Sequence, residues 1–420
     1  MRKYIGIVAH MRTLPPLLVV IAGAVPLLLT AVACDIPATP DPDALPSRVF
    51  EQPSAAYRDA VEEGRSIARA LVAEEKLPGL SLAVAVNGEI VWAEGFRWAN
   101  MENETPVTPG TLFRIGGIST TLTAAAVGLL SERGRLDLDA PVQRYVPSFP
   151  EKEWPISTRQ LMTHSAGIRP YQGDGFFRKI TCDGDADRLA LFADDPLEFR
   201  PGTGVLYSLY GWLLVGAVVA AAADEPYLDF VQREILSPLG MESTVTDIAG
   251  QTETGSAEFY YPRIMLNPRL GVHDAAVLDL SCLLPVGGFL STPSDLVRFG
   301  SAMMGDALLD PATVEELQTP VRLASGDNGP ALGWTVHHVP MGADGSPNRV
   351  VGQGLGDAVR RGPLGASTIG GHPFGGTTTL LTVPAHGIAI AVATNVSGSE
   401  NVSLLSTRLA DAFIRLLQAR

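Results

Sequence analysis

Two pairs of β-rich runs near opposite ends of the chain constrain the possible folds more than any other feature. The first pair, Leu80 to Val86 and Ile90 to Trp98, is separated by Asn87-Gly88. That dipeptide is a strong signal for a two-residue hairpin turn, because both turn positions need a positive φ. The second pair is Thr377 to Val383 and Gly387 to Thr394. If both pairs belong to one sheet, the C-terminal part of the chain must lie beside the strands that the N-terminal part forms.

Each pair of runs has a neighbouring segment with helical periodicity. Ala55 to Glu75 precedes the first pair and has apolar residues at helical spacing. About Ser403 to Leu417 follows the second pair, with Leu405 and Leu409 on one face. A helix and hairpin at the start, with a hairpin and helix at the end, predict one antiparallel sheet flanked by the N- and C-terminal helices.

The middle of the chain has mostly helical signals. One helix is predicted from about Ser119 to Arg133, where Gly134 would stop it, and another from Tyr210 to Ala223. We therefore predict an α+β protein. Its α/β part is expected at about residues 54–108 and 286–420, and a mostly helical insertion subdomain at about 109–285. The Gly- and Pro-rich stretch Gly342 to Gly365 is predicted to be a long surface loop.

Residues 1–34 have the features of an export segment. Basic residues precede Leu14 to Ala33, a run without charge that is long enough to cross a bilayer. The run ends in Ala31-Val32-Ala33-Cys34, which resembles a bacterial lipobox and predicts lipidation of Cys34. An uncleaved membrane anchor and a freely secreted product are the alternatives. The preferred interpretation is an exported periplasmic lipoprotein, held at the membrane through its N-terminus.

Residues 35–53 are predicted to be an extracytoplasmic tether, because they are rich in proline and acidic residues and offer little to pack. An oxidising compartment would permit Cys182 and Cys282 to form a disulfide. The sequence alone does not show whether these two cysteines meet.

Charge and composition argue against two kinds of partner. The net charge of −14 disfavours nucleic-acid binding, which needs a basic surface against the phosphates. The sequence has no CxxC motif and no clustered histidines, which disfavours a structural zinc site. We predict neither a metal nor another cofactor.

Several short motifs resemble those of one protein family, and they follow in that family's order. They are the following segments: Phe113-Arg114-Ile115-Gly116-Gly117-Ile118-Ser119-Thr120, Gly134-Arg135-Leu136-Asp137-Leu138, Leu161-Met162-Thr163-His164-Ser165-Ala166-Gly167, Pro201-Gly202-Thr203, Tyr207-Ser208, and Gly287-Gly288-Phe289-Leu290-Ser291-Thr292. The chain resembles the class C serine β-lactamases, DD-peptidases, penicillin-binding proteins and related esterases from about residue 56 to its end. Through residues 142–153 and 167–171 it resembles one branch, the mitochondrial serine β-lactamase-like proteins and their bacterial relatives.

The resemblance implies a serine at the start of a helix and a lysine three residues later. That spacing places both side chains on one helix face, where the amine can take the hydroxyl proton. In this chain the serine position is Gly117 and the lysine position is Thr120. A glycine has no nucleophile, and a threonine is not a base near neutral pH.

Ser119 is a weaker candidate for the nucleophile. Its partners at one helical turn are Leu122 and Thr123, which are not bases. It also points about 200° away from Gly117 around the helix. We interpret its hydroxyl as one that helps to cap the helix.

The family's other two motifs are also incomplete. The tyrosine of its YxN motif is Tyr207, which either takes part in proton transfer or forms a wall of the site, but the asparagine position is Leu209. The family's third motif, KTG or HxG, falls at Ile369-Gly370-Gly371 when counted back from the strand at Thr377. A second register uses His372 instead, but Pro373 would then remove a hydrogen bond from the strand, which favours Ile369. His164 is interpreted as structural.

Three hypotheses about function follow. The first is a non-catalytic surface protein whose cleft binds small peptide-like or cell-wall-derived ligands. The second is an active serine hydrolase with a non-standard site. The third is a scaffold or assembly protein that associates with itself.

Overall fold

The structure is a computed structural model that describes residues 38–51, 53–171, 181–248, 255–264, 267–353, 375–399 and 401–420. All of them belong to one unit of the chain, Ile36–Arg420. Its strands are β1 Ser47–Glu51, β2 Gly79–Val86, β3 Glu89–Asn100, β4 Thr105–Pro106, β5 Phe113–Arg114, β6 Val245–Thr246, β7 Tyr260–Pro262, β8 Val272–Asp274, β9 Phe289–Ser291, β10 Thr335–Met341, β11 Ser346–Gln353, β12 Thr377–Val383 and β13 Ile388–Thr394. Its α-helices are α1 Arg58–Glu75, α2 Ser119–Glu132, α3 Thr158–Met162, α4 Asp185–Ala190, α5 Leu209–Ala223, α6 Tyr227–Val231, α7 Leu284–Gly287, α8 Pro293–Ala302, α9 Pro311–Leu317 and α10 Asn401–Gln418.

The two predicted hairpins form the centre of one antiparallel sheet, which confirms the predicted fold class. The strand order is β1-β3-β2-β13-β12-β11-β10, and β4 pairs with β3. Strand β2 lies between β3 and β13, so the two ends of the chain meet in the middle of the sheet. The hairpin turn has positive φ at Asn87 (52°) and Gly88 (84°), as a two-residue turn requires.

The sheet has an apolar core on each face, and β2 contributes to both. Leu82 and Val84 pack in a cluster that also contains buried residues of α1 and α10. Ala83 and Ala85, which alternate with them, pack in a cluster with residues of α2, α5 and α8. This alternation follows from the two-residue period of a strand. Both faces are buried, so β2 is apolar at nearly every position.

Residues 38–51 differ from the tether that we expected. Strand β1 pairs with the outer edge of β3, with Ser47 opposite Phe96. The preceding residues are held against α1 by Arg69, whose guanidinium donates to the carbonyls of Pro42 (3.0 Å) and Leu45 (2.8 Å) and to the Ser47 hydroxyl (2.7 Å). Backbone hydrogen bonds to β3 and side-chain hydrogen bonds from Arg69 hold this segment, and neither leaves an apolar pattern in the sequence.

The predicted loop Gly342 to Gly365 is wrong over residues 346–353, which form β11. This strand pairs with β10 on one side and with β12 on the other. Its sequence contains Pro347 and Gly352, which weaken the strand signal. Gly352 is needed, because a Cβ atom there would lie 2.1 Å from the carbonyl oxygen of Leu380. Residues 354–365 lie outside the described part.

The helical insertion contains a disulfide between Cys182 and Cys282, which answers the question that the sequence left open. The two cysteines are 100 residues apart in sequence and both are buried. In the ranges given above, no helix combines the length and apolarity needed to cross a bilayer. The uncharged run from Leu14 to Ala33 and Cys34, for which lipidation is predicted, lie outside those ranges.

Candidate active site

The start of α2 is held in place by strands on both sides. Strand β5 pairs with β9, with Phe113 opposite Ser291. The Arg114 guanidinium forms an ion pair with Asp247 at 2.6 Å, and the Thr378 hydroxyl on β12 donates to the Arg114 carbonyl at 2.8 Å. A single 3₁₀ turn, Gly116–Ile118, then leads directly into α2. Strand β5, from which the chain enters α2, is therefore fixed through its backbone and through the Arg114 side chain.

Gly117 lies in this turn, next to open space. A Cβ atom built on Gly117 would have no other atom within 4 Å, and its φ is outside the left-handed region. Its neighbour Gly116 does adopt a left-handed φ of 49°. Position 117 therefore has both the room and the backbone conformation for a side chain, although the sequence supplies none.

The side-chain hydroxyl of Thr120 forms a hydrogen bond to the turn that precedes its own helix. Its Oγ1 donates to the carbonyl of Gly117 at 2.7 Å, and the residue is 5% exposed. Gln353, at the end of β11, lies beside it: its Nε2 donates to the carbonyl of Gly333 at 2.6 Å and is 3.5 Å from Thr120 Oγ1. Sequence reasoning missed Gln353, because no motif marks the end of this strand.

The structure contradicts the capping role that we predicted for Ser119. Its side chain is 0% exposed, and its hydroxyl has no hydrogen-bond partner among the residues described. Thr123, one turn later on the same helix face, donates to the carbonyl of Pro285 at 2.7 Å. Ser119 therefore faces the interior packed against α7. The cause is that α2 follows a 3₁₀ turn, so the amide of Ser119 bonds back to Gly116 and Gly117 and the helix starts without a side-chain cap.

Tyr207 lies against His164 at the beginning of α5. The two ring centroids are 4.5 Å apart, and 43% of the Tyr207 surface is exposed. Loss of solvent raises the pKa of Tyr207 above its ordinary value of 10.0. The exposed fraction limits that effect, but in either case the phenol keeps its proton at neutral pH. No hydrogen bond joins Tyr207 to Gly117 or Thr120 in the part of the chain that the structure describes.

His164 supports the Tyr207 loop from two sides, which agrees with a structural role. Its carbonyl accepts from the Leu206 amide at 2.9 Å, and its Nδ1 accepts from the Ser208 amide at 3.2 Å. Burial lowers the pKa of His164 to about 4. Protonation of Nδ1 would also break the bond from Ser208, so the ring is neutral at physiological pH.

Helices α2 and α5 meet at Gly333, which brings the first two motifs to one region. A Cβ atom on Gly333 would lie 2.8 Å from Trp212 of α5 and 3.3 Å from the Thr120 carbonyl of α2. Leu209, the first residue of α5, is partly buried and packs against the core below. It offers an apolar group where the resemblance implies an amide.

The remaining candidates lie outside the described residues. Ile369 and His372, the alternatives for the third motif, both fall in the range 354–374, and Cys34 precedes residue 38. Over the ranges that are described, no three His, Cys, Asp or Glu side chains come close enough to hold a metal ion.

Comparisons with known proteins agree with this fold and these motifs. The sequence model of the Beta-lactamase family matches residues 65–412. The mitochondrial serine β-lactamase-like protein LACTB of Homo sapiens is 31% identical over an alignment of 321 residues, and the match covers 60% of this chain and 58% of that protein. Penicillin-binding protein 4* of Bacillus subtilis (strain 168) is 26% identical over an alignment of 272 residues, and the match covers 62% of this chain and 60% of that protein. The chain thus spans about three-fifths of the length of either relative.

A solved structure supports the same assignment at the level of the fold. The octameric penicillin-binding protein homologue from Pyrococcus abyssi superposes with a TM-score of 0.67 at 22% identity, covering 85% of this chain and 78% of that one. The family match extends over most of the chain and includes both halves of the sheet and the helical insertion. The chain therefore belongs to the β-lactamase family, which also includes penicillin-binding proteins and serine β-lactamase-like proteins.

Proposed function

We propose that this chain is a non-catalytic member of its family that binds peptide-like, cell-wall-derived ligands in the cleft beside Gly117. The observation that carries the proposal is the geometry at the start of α2. Gly117 presents no side chain to the open space, and the Thr120 hydroxyl bonds to the Gly117 carbonyl at 2.7 Å. The two positions that would make and activate a nucleophile in a serine-lysine enzyme do neither here.

The neighbouring side chains do not replace the missing pair. Ser119 is fully buried, so its hydroxyl cannot reach a bound substrate. His164 accepts a hydrogen bond from the Ser208 amide on Nδ1, and it lies against Tyr207 rather than beside Ser119. An acyl-enzyme needs a nucleophile next to a base, and the described residues of this region contain no such pair.

Ligand binding requires less than catalysis, and the elements for it are present. Gly117 has open space beside it, Tyr207 has an exposed aromatic ring, and Gln353 carries a side-chain amide. Amide groups at the start of α2 favour a carboxylate or carbonyl oxygen. One relative is named for penicillin binding, and a peptide-like ligand is the corresponding choice for this cleft.

Covalent labelling tests the absence of catalysis. Intact-mass spectrometry after incubation with a fluorophosphonate or a β-lactam should show no added mass. A stoichiometric adduct that disappears in Ser119→Ala would show that the nucleophile is Ser119 and that the protein is an active hydrolase.

Equilibrium binding tests the ligand. A synthetic peptidoglycan stem pentapeptide should bind the wild-type protein, and Gly117→Leu should abolish binding by filling the open space. Gly110→Leu is a matched control, because a Cβ atom there also has no neighbour within 4 Å and no left-handed φ. Absence of peptide binding in the wild type, together with large oligomers in solution, would favour the scaffold hypothesis instead.

We further propose that the protein is exported and held at the membrane through lipidated Cys34. The Cys182–Cys282 disulfide supports this location, because disulfides persist in oxidising compartments. Cys34→Ala should then change both processing and detergent partitioning. Mature protein that still begins at Met1 would leave only the uncleaved anchor.

A further inference from the structure

Gln353 lies beside the start of α2, on the face of the sheet that this helix covers. It is opposite Leu380 in the pairing of β11 with β12, and residues directly opposite each other project to the same face of a sheet. Leu380 packs in the apolar cluster that includes Leu122 of α2. The Gln353 side chain is partly exposed at this position, and it lies outside the motifs that carry the family resemblance.

Two neighbours fix the orientation of the Gln353 carboxamide. Its Nε2 lies 2.6 Å from the carbonyl oxygen of Gly333, which can only accept a hydrogen bond, so the nitrogen rather than the oxygen must face it. Nε2 also lies 3.5 Å from Thr120 Oγ1. That hydroxyl gives its single hydrogen to the Gly117 carbonyl, so it too can only accept from Gln353. Both neighbours hold the nitrogen, and neither can donate to Oε1.

The Oε1 atom of Gln353 is consequently an acceptor without a donor. No residue in the ranges that the structure describes donates a hydrogen bond to it, and it is not one of the enclosed polar atoms that lack a partner. It is therefore open to a ligand. Within the same ranges, no lysine, arginine or histidine donates to Gln353 or Thr120. A ligand carboxylate would face an oxygen atom here with no cation bonded beside it, so the matching ligand group is a donor.

An uncharged N–H group fits this acceptor better than an ammonium group does. An ammonium has three N–H groups to satisfy, and removal from water costs a charged group more than a neutral one. Oε1 is a single neutral acceptor, and a secondary amide brings a single N–H. We propose that Oε1 of Gln353 accepts from a backbone amide of the bound peptide, so that the site selects amides over esters. This inference rests on the function proposed above and adds the chemical group that the site recognises.

Replacement of single atoms in the ligand tests the proposal. Calorimetry compares the stem pentapeptide with a set of analogues, in each of which one amide N–H is replaced by an ester oxygen. One analogue should bind the wild-type protein about tenfold more weakly than the parent peptide, because the ester has no hydrogen to donate to Oε1.

The variant Gln353→Met assigns that difference to this side chain, because it removes the acceptor and keeps a side chain of similar length. In the variant, the same analogue and the parent peptide should bind equally. A purely structural role for Gln353 would instead weaken both ligands alike and preserve the tenfold difference. Gln232→Met, at an exposed glutamine of the helical insertion, is the matched control and should also preserve it.

The possible failures separate this inference from the proposed function. Equal binding of the parent peptide and every analogue by the wild type would overturn the inference alone, since the peptide still binds. The same holds for a tenfold difference that persists in Gln353→Met when circular dichroism shows an intact fold. Absence of pentapeptide binding to the wild type would overturn the proposed function, and this inference with it.

Discussion

The groups around Thr120 determine how this site would respond if the family's serine and lysine were introduced at positions 117 and 120. The Gln353 amide and the Gly333 carbonyl both lie beside this residue. A lysine at position 120 would therefore have polar neighbours. Such neighbours offset part of the desolvation that would otherwise lower its pKa or cost stability.

The triple change Gly117→Ser, Thr120→Lys and Leu209→Asn should produce a folded protein that slowly hydrolyses an activated ester. Serine fits at position 117, where a Cβ atom meets no neighbour within 4 Å. The double change without Leu209→Asn should be less active. Adding Tyr207→Phe should reduce the activity, as measured by ester turnover and by acyl-enzyme mass.

Two outcomes of this experiment would count against the proposed function. A folded triple variant with neither acylation nor turnover would show that the cleft has diverged beyond its missing side chains, which would favour the scaffold hypothesis. Activity in the wild type equal to that of the triple variant would show that Gly117 and Thr120 do not limit catalysis.

His164 makes the folding stability depend on pH. Its pKa is lowered from 6.5 to about 4 in the folded state, so the unfolded chain binds more protons between these values. The free energy of unfolding should therefore fall as the pH decreases from about 6.5 to about 4, by at most about 1.4 kcal/mol per pH unit from this residue.

The variant His164→Asn separates this contribution from that of the carboxylates. Asparagine tolerates the left-handed φ of 54° at this position, and its amide oxygen can accept from the Ser208 amide. Denaturant unfolding at several pH values should show a shallower slope for the variant between pH 4 and 6.5. Identical slopes for the two proteins would assign the pH dependence to other groups.

At the scale of elements, the sequence predicts those strands and helices whose side chains follow a regular apolar pattern. Strand β12 has the predicted bounds Thr377–Val383, and α2 starts at Ser119 as predicted. Strands β1 and β11 were missed, because backbone hydrogen bonds to β3 and β12 define them and such bonds leave no periodic signal. The hydrogen bonds from the Arg69 side chain to residues 42–47 leave no periodic signal either, so the sequence predicts a tether there.

Arg69→Ala should release the N-terminal segment while leaving the domain folded. The change removes the hydrogen bonds to Pro42, Leu45 and Ser47 that hold residues 42–47 against α1. Amide hydrogen exchange should accelerate across residues 38–51, with little change in the centre of the sheet. Arg58→Ala, an exposed residue on the same helix, is the control. Unchanged exchange in Arg69→Ala would mean that the pairing of β1 with β3 is sufficient to hold the segment.

For the whole molecule, the two pairs of β-rich runs near opposite ends of the chain predicted the architecture, because both ends of the chain had to supply strands to one sheet. The Cys182–Cys282 pairing could not be predicted in this way. The two cysteines are 100 residues apart, and only the packing of the segment before α4 against the segment before α7 brings them together. In the structure the Cys182 amide donates to the Ser281 hydroxyl at 3.0 Å, and Arg188 donates to the Ser281 carbonyl at 3.2 Å.

These local bonds lead to a prediction about how the disulfide stabilises the fold. They hold the two segments together without the covalent link, so Cys182→Ala combined with Cys282→Ala should still reach the native structure. The disulfide instead restricts the unfolded chain, and closing a loop of 100 residues contributes up to about 4.7 kcal/mol in the chain-entropy model.

Guanidinium unfolding of the double variant should show a free energy of unfolding lower by about 2 to 5 kcal/mol. Reductant should lower the stability of the wild type to that of the variant and leave the variant unchanged. Equal midpoints for the oxidised wild type and the double variant would show that the disulfide does not stabilise this domain.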